Sequence, residues 1–289
     1  MSDSRNVELE SELLAFVLVS YPDVARSRVQ KWLKHGTVLV NGQSMTRFNH
    51  RLQPGDVVSI RGMAGARQAS QLPSGMTVLF EDESLIVIEK PGNLLTIATD
   101  SEREKTAHAY LTSYLRRGAA QRPERVWIVH RLDRETSGLM VFAKTETAKS
   151  TLQAGWHRNE KRYLAVVDGA PSLESGVLRS HLDESNPFKV FSAPSSEKTR
   201  LAVTHYKVLR RTATRSLIEL TLETGRRNQI RVHLADAGCA IVGDAKYDSQ
   251  SNPVRRLGLH ASYLRFEHPV SNEPLEFTSE LPESLARLV

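Results

Sequence analysis

A polar loop between two short apolar runs constrains this chain more than any other feature. Residues 125–144 read RVWIVHRLDRETSGLMVFAK. The apolar runs 126–129 and 139–143 are typical of strands, and Asp133 lies between them among cationic side chains. Rigid strands often hold loops with catalytic groups, although a lone Asp in a loop is more often a turn residue. The sequence therefore predicts two strands that frame a candidate catalytic carboxylate.

Composition excludes several classes of protein. The 289 residues suffice for one large domain and a small one, and 40% apolar with 25% charged residues is ordinary for a globular protein. No apolar run approaches the roughly 20 residues that span a bilayer. The single Cys239 excludes an internal disulfide and a cysteine-based zinc site. Acidic residues near the start oppose a signal peptide, so we expect a cytoplasmic protein without a membrane partner.

Positive charge is concentrated near the N-terminus. The net charge is +6 and the isoelectric point about 9.5, which favours binding to polyanions. Between residues 26 and 61 the only acid is Asp56. The candidate RNA-binding residues in this stretch are Arg26, Arg28, Lys31, Lys34 and Arg47. A merely solvated charged face is the alternative.

The same region has the pattern of a small α+β module. Apolar spacing predicts a helix over 8–20 and a second helix with Val29, Trp32 and Leu33 on one face. Asn41-Gly42 and 54–56 (PGD) predict turns beside strands 38–40 and 57–60. Residues 27–60 resemble the S-four RNA-binding module of a ribosomal small-subunit protein. We assign this module to residues 1–62 and a small, polar linker to 63–75.

Residues 76–289 have more predicted strands than helices. Strands are expected near 77–80, 85–88, 163–167, 204–209 and 217–222, and helices near 106–117, 145–158 and 230–237. Residues 181–200 are polar and are predicted to be irregular. Because strands and helices do not alternate regularly, we expect an α+β domain with a mixed, largely antiparallel sheet flanked by helices and loops.

Five ordered motifs identify the large domain as similar to a known family. HRLDRETSGL (130–139) resembles the central motif of the RluA-type pseudouridine synthases. Segments 81–97, 161–169, 222–247 and 256–269 match four further motifs of that family in order. The resemblance implies isomerisation of uridine to pseudouridine in structured RNA without a metal or cofactor. It also implies ribosomal RNA as the first expectation and transfer RNA as the alternative, with the enzyme acting as a monomer.

The resemblance assigns roles to individual residues. The catalytic set is Asp133, Tyr163 and Arg231. The Asp133 carboxylate could add to the sugar, stabilise a cationic centre or take a proton to form a glycal. Without the resemblance, Tyr163 would be interpreted as a core residue and Arg231 as a surface one. The expected substrate-binding residues are His130, Arg131, Thr136, Arg226 and Gln229. Arg131 is placed to support a flipped-out base, whereas His130 and Thr136 are expected to hold the shape of the loop rather than take part in the chemistry.

One segment departs from the family pattern. The family usually reads GRTHQIR or GRSHQLR, whereas this chain reads GRRNQIR, with Arg227 and Asn228 at the changed positions. Local substrate contacts or loop support are therefore expected to differ. His233, His260 and His268 do not have the spacing of a known metal site, so no metal is predicted.

Two other functions compete with this interpretation. A catalytically silent RNA-binding or ribosome-assembly factor would share the basic module, but the presence of Asp133, Tyr163 and Arg231 opposes it. A nucleobase-processing hydrolase is the third hypothesis, and the chain has no zinc-deaminase signature to support it.

Overall fold

The N-terminal module combines two helices with short strands. The structure, a computed structural model, describes residues 4–22, 24, 26–34, 38–60, 70–72, 74–118 and 125–289. The elements of the module are β1 (Ser4–Asn6), β2 (Ser11–Glu12), α1 (Leu13–Ser20), α2 (Arg26–Lys34), β3 (Val38–Val40), β4 (Gln43–Ser44), β5 (Arg51–Leu52) and β6 (Val57–Ile60). Strands β1, β6, β3 and β4 form one sheet in that order, and β2 pairs with β5.

The module has its own apolar core. Val29, Trp32 and Leu33 of α2 are buried as predicted, in a cluster built from residues 7–60. Asn41 and Gly42 have φ of 52° and 80° between the paired strands β3 and β4, which confirms the predicted tight turn. Because no residue that the structure describes in the large domain belongs to this cluster, the module has the core that independent folding requires.

The first helix is shorter than predicted. The expected helix over 8–20 begins only at Leu13, because Ser11 and Glu12 pair with β5. Leu9 is therefore off the helix, and 79% of it is exposed. The four-residue spacing of Leu9 and Leu13 matched the apolar spacing of a helix. Strand pairing decided the local structure instead.

The large domain contains most of the strands. Its elements are β7 (Ser70–Gln71), β8 (Thr77–Glu81), β9 (Leu85–Lys90), α3 (Ala107–Gly118), β10 (Trp127–Ile128), β11 (Ser137–Ala143), α4 (Glu146–Gly155), a 3-10 turn (Trp156–Arg158), β12 (Glu160–Asp168), β13 (Ser175–Asp183), β14 (Phe191–Ala193), β15 (Thr199–Arg211), β16 (Arg215–Leu222), α5 (Gln229–Asp236), β17 (Leu259–Glu267), β18 (Pro274–Thr278) and α6 (Glu283–Ala286).

One long sheet organises this domain. Its strand order is β14-β13-β15-β16-β12-β17-β11-β9-β8-β7, and β10 and β18 pair with β11 and β17. Among the described strands, β11 and β17 are the one parallel pair, and the other pairs are antiparallel. The mixed, largely antiparallel sheet and the α+β class are thereby confirmed.

Helices cover both faces of the sheet at its centre. Strand β11 is buried at every residue. On one face Met140 and Phe142 pack in a cluster with Leu111 of α3, and on the other Val141 packs in a cluster with Leu152 of α4. This two-sided burial explains why 139–143 reads as an unbroken apolar run, and it gives the preceding loop a rigid base.

Two predicted irregular segments contain strands. Residues 181–200 include the end of β13, all of β14 and the start of β15, so that prediction was wrong in part. These strands form the edge of the sheet with one face largely in water, which explains their polar sequence. The predicted linker 63–75 lies mostly outside the described residues, and within it Ser70 and Gln71 pair with β8.

Among the helices of the described residues, none has both the length and the apolar character needed to cross a membrane.

Candidate active site

A cleft of about 1230 Å³ opens beside the loop that precedes β11. It collects every residue that the sequence assigned to catalysis or substrate binding in the large domain. These are His130, Arg131, Asp133, Thr136, Tyr163, Arg226, Gln229 and Arg231. Residues that are more than 90 positions apart in sequence thus line the same cleft.

Residues 130–136 form the loop, and buried neighbours fix its shape. Leu132 is buried, and its backbone N–H and C=O both pair with the Thr96 hydroxyl, at 3.3 and 2.7 Å. The His130 ring stacks on Trp156 with centroids 4.3 Å apart. His130 Nε2 accepts a hydrogen bond from the Val141 amide at 3.1 Å. Because these contacts hold His130 and Leu132, the side chain of Arg131 between them is exposed towards the cleft.

His130 and Thr136 hold the loop rather than present charge. Burial, and secondarily the charge of Lys161, lower the pKa of His130 to about 3, so the ring is neutral at physiological pH. Thr136 is buried, and its amide donates to the Asp133 carbonyl at 3.2 Å to close a turn. Their assignment as substrate-binding residues stays a prediction, and the geometry favours a supporting role.

Gly138 lets the loop join the parallel strand pair. Its φ of +114° is a conformation that L side chains rarely adopt. A Cβ at this position would lie 2.2 Å from the Ala261 carbonyl oxygen of β17. Glycine therefore allows β17 to approach directly behind the loop that carries Asp133.

The Asp133 carboxylate is partly exposed to the cleft and oriented by two donors. Asn228 Nδ2 donates to Asp133 Oδ2 at 2.6 Å, and Arg231 Nη1 lies 3.4 Å from the same oxygen. About 30% of the Asp133 side chain is exposed, so the group remains accessible. The two donors fix the orientation of the carboxylate within the cleft.

Arg231 is buried and makes its strongest pair with another acid. Its Nε and Nη2 donate to the two carboxylate oxygens of Asp244, each at 2.8 Å, in a bidentate pair. Its Nη1 lies 3.5 Å from Glu135 in addition to its contact with Asp133. Burial opposes the charge of Arg231, but Asp244, Asp133 and Glu135 outweigh it and raise the pKa of the guanidinium. Asp244 therefore anchors the arginine that faces Asp133.

Asn228, one of the two departures from the family pattern, binds Asp133 directly. The residue has a left-handed φ of 52°, which Asn tolerates better than most residues. Its Oδ1 accepts hydrogen bonds from Lys246 Nζ at 3.2 Å and from the Tyr247 hydroxyl at 3.3 Å. Because these two donors must face an oxygen, the amide nitrogen is turned towards Asp133. The changed residue thus supports the carboxylate without adding a charge.

Tyr163 lies at a bulge in β12. The pairing of β12 with β17 shifts register between Arg162 and Tyr163, and the ring packs against the apolar clusters on both sides of this point. Burial, and secondarily the nearby charge of Asp133, raise the pKa of the Tyr163 hydroxyl. At neutral pH the group is therefore a neutral phenol in the same cleft as Asp133, able to donate a hydrogen bond.

Gln229 and Arg226 contribute differently from each other. The Gln229 amide is buried; it donates to Val203 and Thr204 and accepts from Thr224 and the Arg226 backbone, all within 3.0 Å. All four of its hydrogen-bonding positions are therefore occupied by protein, which favours a positioning role. Arg226 is exposed and contacts the Leu201 carbonyl at 3.1 Å, so it can also reach a ligand.

The structure reveals a buried lysine under the loop. Lys90 Nζ donates to the carbonyl oxygens of Pro91, Leu94 and Arg134 at 3.0, 2.8 and 3.1 Å. Its side chain is fully buried. Burial lowers the pKa of Lys90 to about 7, while the charges of Asp133 and Glu135 act in the opposite direction. Since the Arg134 carbonyl belongs to the loop, Lys90 ties the loop to β9.

We expect Lys90→Met to reduce the free energy of unfolding by about 2–4 kcal/mol, because buried carbonyl groups lose their donor. The unfolded chain binds more protons than the folded one between about pH 7 and 10, since the pKa of Lys90 is lower in the folded state. Lys90 therefore adds stability as the pH rises through this window. The difference in the free energy of unfolding between wild type and variant should widen accordingly. Urea unfolding at both ends of the window measures it, with the exposed Lys105→Met as control. A difference that narrows would contradict the prediction.

Asp244 and Lys90 were missed in the sequence, although each had a signal. A buried arginine needs a neutralising acid, and Asp244 occurs 13 residues after Arg231 in the same motif segment. Lys90 ends an apolar strand, where a lysine side chain is either buried with the strand or turned away from the sheet.

The histidines have other partners: His233 pairs with Thr204 and Ser180, His260 with Ser137 and Ser279, and His268 with Asp82. No group of three metal-ligating side chains occurs in the described ranges.

Comparisons with known proteins agree with the geometry. The family model described as RNA pseudouridylate synthase matches residues 84–236, and the S4 domain model matches residues 13–58. The RNA pseudouridine synthase YlyB of Bacillus subtilis is 33% identical over 95% of this chain and 91% of its own length. The ribosomal large subunit pseudouridine synthase D of Vibrio cholerae is 31% identical over 98% of this chain and 92% of its own.

A solved structure has the same fold. The human RNA pseudouridylate synthase domain containing 4 superposes with a TM-score of 0.62 at 26% identity, over 72% of this chain and 90% of that one. The family model covers more than half of the chain, and the similarity to the bacterial relatives extends over nearly all of it. The chain therefore belongs to the RNA pseudouridylate synthase family and is an isomerase with an N-terminal S4 domain.

Proposed function

We propose that this enzyme isomerises uridines of ribosomal RNA and that Asp133 is its catalytic residue. The observation that carries the proposal is the Asp133 carboxylate, which is partly exposed in a large cleft and held by Asn228 and Arg231. The name of the Vibrio cholerae relative specifies the large ribosomal subunit, which supports ribosomal RNA as the substrate class.

The three candidate catalytic residues have complementary roles. Asp133 acts at the sugar carbon when the bond to the base breaks, by covalent addition, by stabilising positive charge or by accepting a proton. Tyr163 stacks on the uracil, or its hydroxyl reaches a proton on the sugar or the base. Arg231 pairs with the Asp133 carboxylate from a position that Asp244 fixes. No step requires a metal or cofactor, because the reaction neither exchanges electrons nor loses a group.

RNA reaches the cleft with its target base turned outwards. Arg131 is exposed two residues before Asp133 and is placed to support the flipped nucleotide. Arg226 is exposed on the same cleft and supplies a phosphate contact. In the S4 domain Arg26, Lys34 and Arg47 are exposed, while the side chains of Arg28 and Lys31 lie outside the described part. We further propose that the enzyme acts as a monomer in the cytoplasm.

Tritium release tests the activity. Hydrogen leaves carbon 5 of uracil only if the base is reattached through that carbon, so ribosomal RNA labelled there should release tritium with the wild-type enzyme. Release only from transfer RNA would favour the alternative substrate. Release from neither RNA would favour a silent RNA-binding or assembly factor. Mapping pseudouridines in RNA from a deletion strain then identifies the modified uridine.

Removal of residues 1–62 should weaken RNA binding more than it slows the reaction of bound RNA. The removed module contains its own apolar core and none of the candidate catalytic residues. Tethering a second binding module raises the local concentration of RNA at the cleft. Binding measured against salt concentration should show a flatter dependence in the truncated enzyme, because phosphate contacts are lost. An unchanged salt dependence would show that the module has another role.

A further inference from the structure

Residues 184–190 connect β13 to β14 and contribute two residues to the cleft. Glu184 and Pro187 of this 184–190 loop line the same cleft as the Asp133 loop. Phe188 follows Pro187, and 81% of it is exposed. A phenylalanine so exposed, directly after a residue that lines the candidate active site, suggests a binding function, because contact of an aromatic ring with water is unfavourable.

Arg227 fixes this loop. Its Nη1 donates to the Pro187 carbonyl at 3.0 Å, and its Nη2 donates to the carbonyls of Glu184, at 3.1 Å, and Asn186. The Glu184 carboxylate in turn accepts from the Arg227 backbone amide at 2.6 Å. Arg227 stands where the family pattern has Thr or Ser, and neither side chain could reach three carbonyl groups of another loop.

The loop also holds itself in shape. Asn186 Oδ1 accepts hydrogen bonds from the backbone amides of Phe188, at 2.8 Å, and Lys189, at 3.3 Å, which closes an Asx turn. At the end of the loop, the Val190 amide donates to the Tyr247 hydroxyl at 3.2 Å. Phe188 is thus presented from a preorganised loop, which reduces the conformational entropy lost when a ligand binds.

The surroundings of Phe188 suit a nucleic acid. Arg131, Arg226 and Lys246 line the cleft that Pro187 also lines, and Lys189 follows Phe188 in sequence. An aromatic ring among cations is the arrangement that binds unpaired bases, since the ring stacks on the base while the cations bind phosphates. An apolar protein partner would gain less from this charge.

We propose that Phe188 stacks on an unpaired base of the RNA next to the uridine in the cleft. Arg227 is the positioning residue that presents Phe188. The inference rests on the proposed function, because it takes RNA as the ligand. It also explains why this chain departs from the family pattern at Arg227. The arginine supports a rigid stacking contact that a small residue at this position could not support.

Binding of two fluorescent oligomers tests the stacking contact in the full-length enzyme. The first is a single-stranded oligouridylate, and the second is an abasic oligomer of equal length. Phe188→Ala should weaken binding to the oligouridylate by roughly tenfold, the size of one base–aromatic stack, and leave binding to the abasic oligomer unchanged. Phe188→Trp should bind at least as well as wild type. Leu173→Ala, which removes another apolar side chain with 64% exposure, is the matched control.

A double-mutant cycle tests the positioning role. Arg227→Thr should weaken oligouridylate binding in the wild-type background but have little further effect in Phe188→Ala, because the two residues act through one contact. An equal loss in both backgrounds would make Arg227 a direct phosphate contact and overturn its positioning role. Thermal unfolding of each variant verifies that the fold persists.

Two outcomes would overturn the stacking contact. Phe188→Ala could bind the oligouridylate like wild type, or it could lose affinity for both oligomers equally. Neither depends on turnover. Failure of the proposed function would appear separately, as absence of tritium release from ribosomal RNA by the wild-type enzyme.

Discussion

Asp133→Asn should abolish pseudouridine formation while RNA binding stays nearly intact. The substitution keeps the size of the side chain, and its amide oxygen can still accept the hydrogen bond from Asn228. It removes the negative charge, and an amide can neither add readily to the sugar nor act as a base there. We expect the single-turnover rate of tritium release at saturating enzyme to fall by at least about a thousandfold, which is roughly 4 kcal/mol in the barrier.

A neighbouring substitution separates this role from local charge. Glu135 lies two residues away and also faces Arg231 Nη1, at 3.5 Å. Glu135→Gln removes the same charge from the same loop, and we expect its rate to stay within about tenfold of wild type, a difference of roughly 1.4 kcal/mol. If Asp133→Asn also stays within that range, Asp133 is not the catalytic residue.

Arg231→Met should impair both stability and catalysis. The fully buried Asp244 would lose a bidentate partner, and breaking such a pair costs about 3–5 kcal/mol in the free energy of unfolding. Asp133 would lose its nearby cation and one of the two donors that orient its carboxylate, so the rate should fall. Arg231→Lys should retain more of both, but one ammonium group cannot reproduce the planar contacts to Asp244 and Asp133 together.

Two measurements separate the pairing role of Arg231 from a direct substrate contact. The single-turnover rate is measured at saturating enzyme and the free energy of unfolding by urea unfolding, with the exposed Arg116→Met as control. A normal rate at saturating enzyme, together with weaker RNA binding, would make Arg231 a substrate contact instead.

A second substitution separates the two partners of Arg231. Asp244→Asn in the Arg231→Met background removes the unpaired buried charge, so much of the lost stability should return. Catalysis should not return with it, because Asp133 still lacks its cation. Recovery of both properties together would show that Arg231 contributes to the site only by folding it.

Local patterns predicted a large part of this architecture. The apolar run 139–143 predicted β11, and the Asn41-Gly42 turn predicted the β3–β4 hairpin. Both follow from backbone preferences and burial over a few neighbouring residues. The prediction failed where edge strands have polar sequences, at 181–200, and where the spacing of Leu9 imitated a helix. In both places strand pairing with a distant segment decided the structure.

The sequence by itself determined the elements, the family and the carboxylate loop, because short periodic patterns and ordered motifs are local properties of a chain. Only the tertiary structure decided the partners. Asp133 meets Asn228 and Arg231 across 95 and 98 residues, and Lys90 reaches the same loop across 44. Sheet order and strand register bring these groups together. A buried charge or amide then pairs with a polar group that lies within hydrogen-bond distance. The packing of the sheet sets these distances between side chains, and a local sequence pattern carries no information about them.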